Sequence, residues 1–423
     1  MTASEPLLLT LDGEPQRMAQ ALEAAWSQGR VVALAGPGEQ GRLAEALRQD
    51  GVAAALGRAL EPGLAAVLLG SGGTAGARRW CLQPLTHLQA SAAASARWLA
   101  GLGLEPAACM HLNPLPLHHV SGLLPLLRAR HSGAQLRWLA PDLLREPAAL
   151  AQALPLPPGR PAVLSLVPTQ LARLLEEPAA VAWLRGCAVI WVGGATLPPA
   201  LAARARAEAL PLAPCYGATE TAAMVCALPP QEFLAGEPGC GPPLDDVELR
   251  LDADGGAVAV RSARLALGWL EPGGLKPLPL TADGWWRSGD AGRFGAAGLE
   301  LLGRLDGAIN SGGETVFPEQ LEARLQAEAA AEGLPLAAVL LLGVEDPLWG
   351  QRLVALVRAE AEADSAALLT ALPRLVAGWP PAERPRTWWP CPELAVNAAG
   401  KWQRGQWREW LGGAKSGPPE IFS

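Results

Sequence analysis

The chain has 423 residues, 50% of them hydrophobic and 18% charged, which describes a globular protein of two or three domains and not a disordered one. A formal charge of −7 with no lysine- or arginine-rich run argues against a nucleic-acid partner, while small anions, which need only a few local charges, stay open. Seven scattered cysteines without a C-x-x-C pair argue against a disulfide framework and a zinc site and fit a reducing, cytoplasmic setting. The start "MTASEPLLLTLDGEP" reads as neither signal peptide nor anchor, and no apolar stretch approaches the roughly 18 residues of a membrane span, so no membrane insertion is expected.

In chain order, apolar runs at 30–36, 64–70, 107–115, 135–140, 161–168 and 187–194 predict buried strands. Helical patterns at 82–100, 121–131 and 198–209 lie between several of them. Strands alternating with helices imply an α/β unit with a largely parallel, helix-flanked sheet. From about 239 to 302, glycine-bounded runs such as "VELRLDADGGAVAVRS" predict the hairpins of a small β-region. Helix 318–332, strands 337–344 and 352–359 and helix 364–378 then predict a small α+β domain. The expected division is a large N-terminal domain of 1–305, a C-terminal domain of 306–411 and a disordered tail of 412–423, with no internal repeat.

The segment "CYGATETAAMVCA" (215–227) holds Tyr216, the only tyrosine in the chain, followed by Gly217, Ala218, Thr219 and Glu220. An apolar run feeding a small-residue turn places Thr219 and Glu220 at a strand end, where α/β sheets bind ligands. There a glutamate can hold Mg²⁺ through oxygen, a threonine hydroxyl can touch phosphate and a tyrosine ring can lie on a purine. An ordinary turn fits the same residues. A second unusual feature is Lys401 in "VNAAGKWQRG": only three of the 34 basic residues are lysine. Lysine is a compact point charge where arginine is a broad fork, and a narrow gap between two anions needs the former.

Together these motifs resemble the adenylate-forming acyl-CoA ligases. Y-G-x-T-E is followed in the family's order by "SGD" (288–290), "GRLDGAINSGGE" (303–314) and "NAAGK" (397–401), and the resemblance runs from about residue 65 to 410. It implies a large adenylation domain and a mobile C-terminal domain, with Mg²⁺ as cofactor and ATP and CoA as co-substrates. A carboxylate attacks the α-phosphate to give an acyl-adenylate and pyrophosphate, and a thiol then displaces AMP. By the resemblance, Lys401 neutralises the meeting carboxylate and phosphate, with Thr219 and the metal ligand Glu220 as further catalytic residues. Gly193, Gly194 and Ala195 match the turn against adenine, beside Tyr216 and Gly217; Asp290 and Arg304 match the ribose contacts and Asp306 the hinge. Ser311, Gly312, Gly313 and Glu314 match the loop that reaches the CoA channel. The phosphate loop departs from the family pattern: "GSGGTAGARR" (70–79) keeps Ser71, Gly72, Gly73 and Thr74, whose backbone N–H groups suit phosphate, but puts Arg78 where the family has lysine.

"LPLHHVSGLLPLLRAR" (115–130) and "VPTQLARLL" (167–175) are similar to segments of the o-succinylbenzoate–CoA ligases of menaquinone and phylloquinone synthesis. That likeness implies an acyl pocket containing His119 and Ser121, with Arg128 facing the substrate's ring carboxylate. Taken singly, His119 also reads as a packed helix-start histidine and Arg128 as a solvated face. Another acid, a carrier-protein acceptor or a silent nucleotide-binding homologue are the competing readings, and a homo-oligomer is left open.

Overall fold

The computed structural model describes residues 7–10, 14–49, 51–61, 63–71, 79–252, 256–271, 274–396 and 402–414. By compactness the chain falls into two units. The larger holds the described residues up to Leu197 together with Arg204–Ser288 and Gly292–Leu301; the smaller holds Pro198–Ala203, Gly289–Ala291 and the chain from Leu302 onward.

In the larger unit, strands such as Val31–Ala35 and Ala66–Ser71 are apolar at nearly every position because both faces of their sheet are covered. Alternate residues go to opposite sides. Val32, Leu34, Val67 and Leu69 join Leu22 and Trp26 of helix Pro15–Ser27 and Leu123 and Leu127 of helix Val120–Ser132. Ala33, Ala35, Ala66 and Leu68 join Leu43, Val52 and Leu56. Across this six-stranded sheet the order is Leu7–Thr10, Val31–Ala35, Ala66–Ser71, Arg79–Pro84, Gly268–Glu271 and Gly274–Pro277. The first three strands run parallel and the remaining pairings are antiparallel.

A second six-stranded sheet has the order Ala223–Ala227, Leu212–Ala218, Val189–Val192, Ala162–Leu166, Met110–Asn113 and Gln135–Trp138. It is parallel throughout except for the hairpin at the Ala223–Ala227 edge. The predicted small β-region supplies the four-stranded sheet Glu248–Leu251, Ala257–Arg261, Trp286–Gly295 and Gly298–Arg304. The hairpin Gly268–Glu271 and Gly274–Pro277, inside the span expected for that region, instead completes the first sheet. The helix read over 82–100 also needs correcting, since strand Arg79–Pro84 occupies its start. Pro84 is extended (ψ 141°) and helix Leu85–Gly101 begins only after it.

In the smaller unit the period-2 pattern again explains the burial. Val339 and Leu341 of strand Leu336–Asp346 face helices Pro318–Ala331 and Ser365–Leu375, whereas Ala338, Leu340 and Leu342 face Cys391, Leu394 and Leu411. The sheet order is Glu314–Val316, Ile309–Ser311, Gly350–Ala359, Leu336–Asp346, with Thr387–Pro390 paired parallel to Gly350–Ala359. Part of the expected disordered tail is ordered: helix Arg404–Ala414 runs through 412–414, held by Leu411 with Trp407 and Trp410 packed on the same cluster. Among the described residues no helix is long and apolar enough to cross a membrane, and all seven cysteines are unpaired thiols.

Candidate active site

Strand Leu212–Ala218 ends in a 3-10 turn, Thr219–Thr221, and the chain doubles back so that Ala223 pairs with Ala218. The reversal puts Ala222 and Ala223 at φ 52° and 76°, a conformation that costs a non-glycine residue about 1–3 kcal/mol. Gly217 is required where it stands, because a Cβ there would lie 2.0 Å from the Ala223 carbonyl oxygen. Hydrogen bonds hold the turn carbonyl by carbonyl. Gln83 Nε2 donates to the Thr219 oxygen (2.7 Å), the Ala266 N–H to that of Glu220 (2.8 Å) and Arg264 Nη1 to that of Thr221 (3.2 Å). Thr221 Oγ1 accepts the Ala218 N–H at 2.9 Å. The Glu220 carboxylate is buried, and its Oε1 accepts the indole N–H of Trp269 at 2.8 Å.

The sequence reading missed Gln83, Arg264 and Trp269. Gln83 is 136 residues and Trp269 49 residues from the group it holds, so no local pattern pointed to either.

The turn at Gly193, Gly194 and Ala195 leaves the same end of the neighbouring parallel strand. Val192 is in register with Pro214, which brings this turn beside the Tyr216–Glu220 segment. Gly194 takes φ 80°, and a Cβ on Gly193 would stand 2.8 Å from Cys215 Sγ. The structure therefore gathers Gly193, Gly194, Ala195, Tyr216, Gly217, Thr219 and Glu220 at the carboxyl ends of adjacent strands, where open α/β sheets take ligands. Ser71 ends strand Ala66–Ser71 in the first sheet, buried, its hydroxyl without a partner among the described residues. Gly72, Gly73, Thr74 and Arg78 lie outside the described residues.

His119 is the N-cap residue of helix Val120–Ser132, its ring 4.3 Å from that of His118, and Ser121 is half-buried in the first turn. Arg128, on the same helix, is no solvated residue: it is 6% exposed. Its Nε donates to Ser95 Oγ at 3.1 Å and its guanidinium lies 4.2 Å over the Trp191 ring. Among the described residues its terminal amino groups donate to nothing and no carboxylate comes within ion-pair distance. Burial brings its pKa down to about 10, so it stays cationic at neutral pH. Trp191 precedes Gly193 by two residues and shares its face of the sheet, which sets this uncompensated charge beneath the 193–195 turn.

Burial, and after it the Arg128 charge, pulls the neighbouring His111 imidazole down to about 3. The folded state therefore holds His111 neutral, while the unfolded chain protonates it near 6.5. Stability from this group is complete above pH ~6.5 and is lost as pH falls from there toward 3, by up to about 1.4 kcal/mol per pH unit. Thermal denaturation between pH 7 and 5 is expected to show that decline, and His111→Gln to flatten it.

In the smaller unit Arg304 lies between two carboxylates. Its Nη1 donates to Asp290 Oδ1 at 3.2 Å and its Nε to Asp306 Oδ1 at 3.2 Å. Ser311 is buried, its hydroxyl without a partner among the described residues, and Glu314 is exposed across the hairpin from it. Gly312 (φ 62°) donates its N–H to the Trp349 carbonyl at 2.9 Å and sits under the Trp349 ring, where a Cβ would be 2.4 Å away; Gly313 takes φ 87°. Lys401 lies outside the described residues. Three residues on, Arg404 is anchored: it donates to both oxygens of Glu322 (2.9 and 2.8 Å) and to the Leu341 carbonyl (2.7 Å), and pairs with Glu319 (3.2 Å).

Comparison with known proteins accounts for this combination of fold and strand-end turns. The family model of AMP-binding enzymes matches residues 7–268. A probable 2-succinylbenzoate–CoA ligase of Mycobacterium tuberculosis is 32% identical over 302 residues, covering 69% of this chain and 70% of the relative. A 2-succinylbenzoate–CoA ligase of Enterococcus faecalis is 28% identical over 346 residues, covering 79% and 67%. Among solved structures, an o-succinylbenzoate CoA synthetase of Bacillus subtilis in complex with its acyl-adenylate intermediate superposes with a TM-score of 0.74 at 20% identity, over 95% of this chain and 87% of that one. The chain belongs to the AMP-binding enzyme family.

Proposed function

We propose that this chain is an ATP-dependent acid–thiol ligase that converts o-succinylbenzoate, ATP and CoA to o-succinylbenzoyl-CoA, AMP and pyrophosphate through an acyl-adenylate, in the cytoplasmic synthesis of menaquinone or phylloquinone. Family membership and the activities named for the relatives support the reaction class. One observation carries the choice of acid: Arg128 is a buried cation with no carboxylate partner among the described residues, beneath the 193–195 turn. A buried charge without a counter-ion is strongly disfavoured, and an acid with a second carboxylate supplies one.

In this reading residues 1–305 bind ATP and the acid, and 306–411 carry Lys401 and rotate about Asp306 between the two steps. Tyr216 and the Gly193, Gly194 and Ala195 turn hold the purine; Asp290 and Arg304 hold the ribose. The described residues contain no group of three His, Cys, Asp or Glu side chains fit for a metal. Glu220 is a single oxygen donor, which fits Mg²⁺, an ion that takes one or two carboxylates and completes its shell with phosphate and water. When bound, Mg²⁺ supplies positive charge to the phosphates. Thr219 hydrogen-bonds phosphate, Lys401 screens the meeting anions, and the Ser311, Gly312, Gly313 and Glu314 loop then faces the thiol.

Pyrophosphate release should be measured over a panel of aryl and acyl acids, with thioester formation followed with and without CoA. The expected result is adenylation specific for o-succinylbenzoate and a CoA-dependent thioester. Preference for a monocarboxylic acid, or a thioester formed only on a carrier protein, would overturn the substrate assignment.

A further inference from the structure

We propose that Trp269 is a positioning residue for Glu220: its indole N–H fixes the carboxylate at Oε1 and leaves the full negative charge for a cation. This rests on the reading that Glu220 faces the metal–nucleotide complex.

The two side chains are 5% and 7% exposed, so the 2.8 Å bond between them lies away from water, where a hydrogen bond to an ionised group is strong. An arginine or lysine in the same place would hold the carboxylate as firmly, but it would cancel the charge that a metal ion needs. An indole N–H only donates and carries no charge. Among the described residues Glu220 has no ion pair and accepts from no other side chain.

The indole itself cannot drift. Strand Gly268–Glu271 runs antiparallel to Arg79–Pro84 with Trp269 opposite Cys81, and the Arg79 guanidinium stacks 4.2 Å over the ring. Arg79 follows directly on the glycine-rich segment, so one ring touches the strand that leaves this segment and the carboxylate of the Thr219–Thr221 turn. The backbone of that turn is held by other donors, namely Gln83, Ala266 and Arg264. Losing the indole N–H should therefore free the carboxylate and leave the turn in place.

The test is Trp269→Phe, which keeps a ring at this position and removes the N–H, with Trp269→3-benzothienylalanine as a second variant that keeps the bicycle and replaces N–H by sulfur. ATP binding is titrated calorimetrically without metal and at increasing Mg²⁺, and Mn²⁺ binding to the ATP complex is followed by electron paramagnetic resonance. Metal-free ATP affinity and Tm should stay close to wild type, while the half-saturating Mn²⁺ concentration rises about tenfold. Excess Mg²⁺ should recover much of the lost adenylation rate. Unchanged metal dependence in either folded variant, whatever happens to Tm, makes Trp269 a packing residue and overturns the proposal alone. A wild-type protein with no metal-dependent ATP binding overturns the ligase reading and this proposal with it.

Discussion

Lys401→Ala is expected to slow acyl-adenylate formation by about 10²–10³-fold, the usual scale for losing one preorganised charge where anionic charge gathers. The step brings a carboxylate onto a polyphosphate, and the proposed role of Lys401 is to screen the two at that moment. The same variant should make thioester from supplied acyl-adenylate and CoA at nearly the wild-type rate, because in the proposed two-step cycle the lysine has left by then. The substitution should also spare the fold. The start of helix Arg404–Ala414 is anchored by Arg404 itself, through its bonds to Glu322, Glu319 and the Leu341 carbonyl. Stopped-flow measurement of each half-reaction decides the matter: equal loss in both means that Lys401 serves structure or binding and not adenylation.

Local signals made much of this molecule legible in advance. Val189–Val192 and Ala162–Leu166 were visible as apolar runs because parallel strands covered on both faces cannot alternate with polar residues. The Tyr216–Glu220 turn was visible because a turn of this tightness demands small residues, Gly217 above all. Long-range pairing was not visible. Gly268–Glu271 falls inside the span read as a small β-region, and only its partner, Arg79–Pro84, assigns it to the first sheet. The residues that hold the site are hidden for the same reason, since Trp269 and Gln83, on strands of the first sheet, reach Glu220 and Thr219 at the end of a strand of the second and not along the chain. Arg128 is the instructive case. Taken singly on sequence it reads more often as a solvated face, and only the resemblance implies a ligand role; its helix turns it inward onto Trp191, and the surface reading fails.

Arg128→Leu is expected to raise KM for o-succinylbenzoate and to flatten the preference for it over 4-oxo-4-phenylbutanoate, which has the same succinyl arm and no ring carboxylate. A site that pairs a buried polar group with one on the substrate can reject the analogue lacking it by as much as ~10⁴, because the site's own group is then left unpaired. A guanidinium suits the task, as it can meet a carboxylate with two parallel hydrogen bonds. Its Nε is engaged by Ser95, while the terminal amino groups donate to nothing else described. Leucine should not harm the fold. Among the described residues it replaces a charge that has no carboxylate beside it, and an unpaired buried charge is itself unfavourable. Tm should hold, and ATP affinity should not move, since Arg128 is assigned to the acid and the residues assigned to the purine lie on other elements. The discriminating measurement is the ratio of kcat/KM for the two acids in the wild type and the variant. If leucine at 128 keeps the wild-type ratio, the ring carboxylate is held elsewhere, and the Arg128 charge is a feature of the core that the substrate never meets.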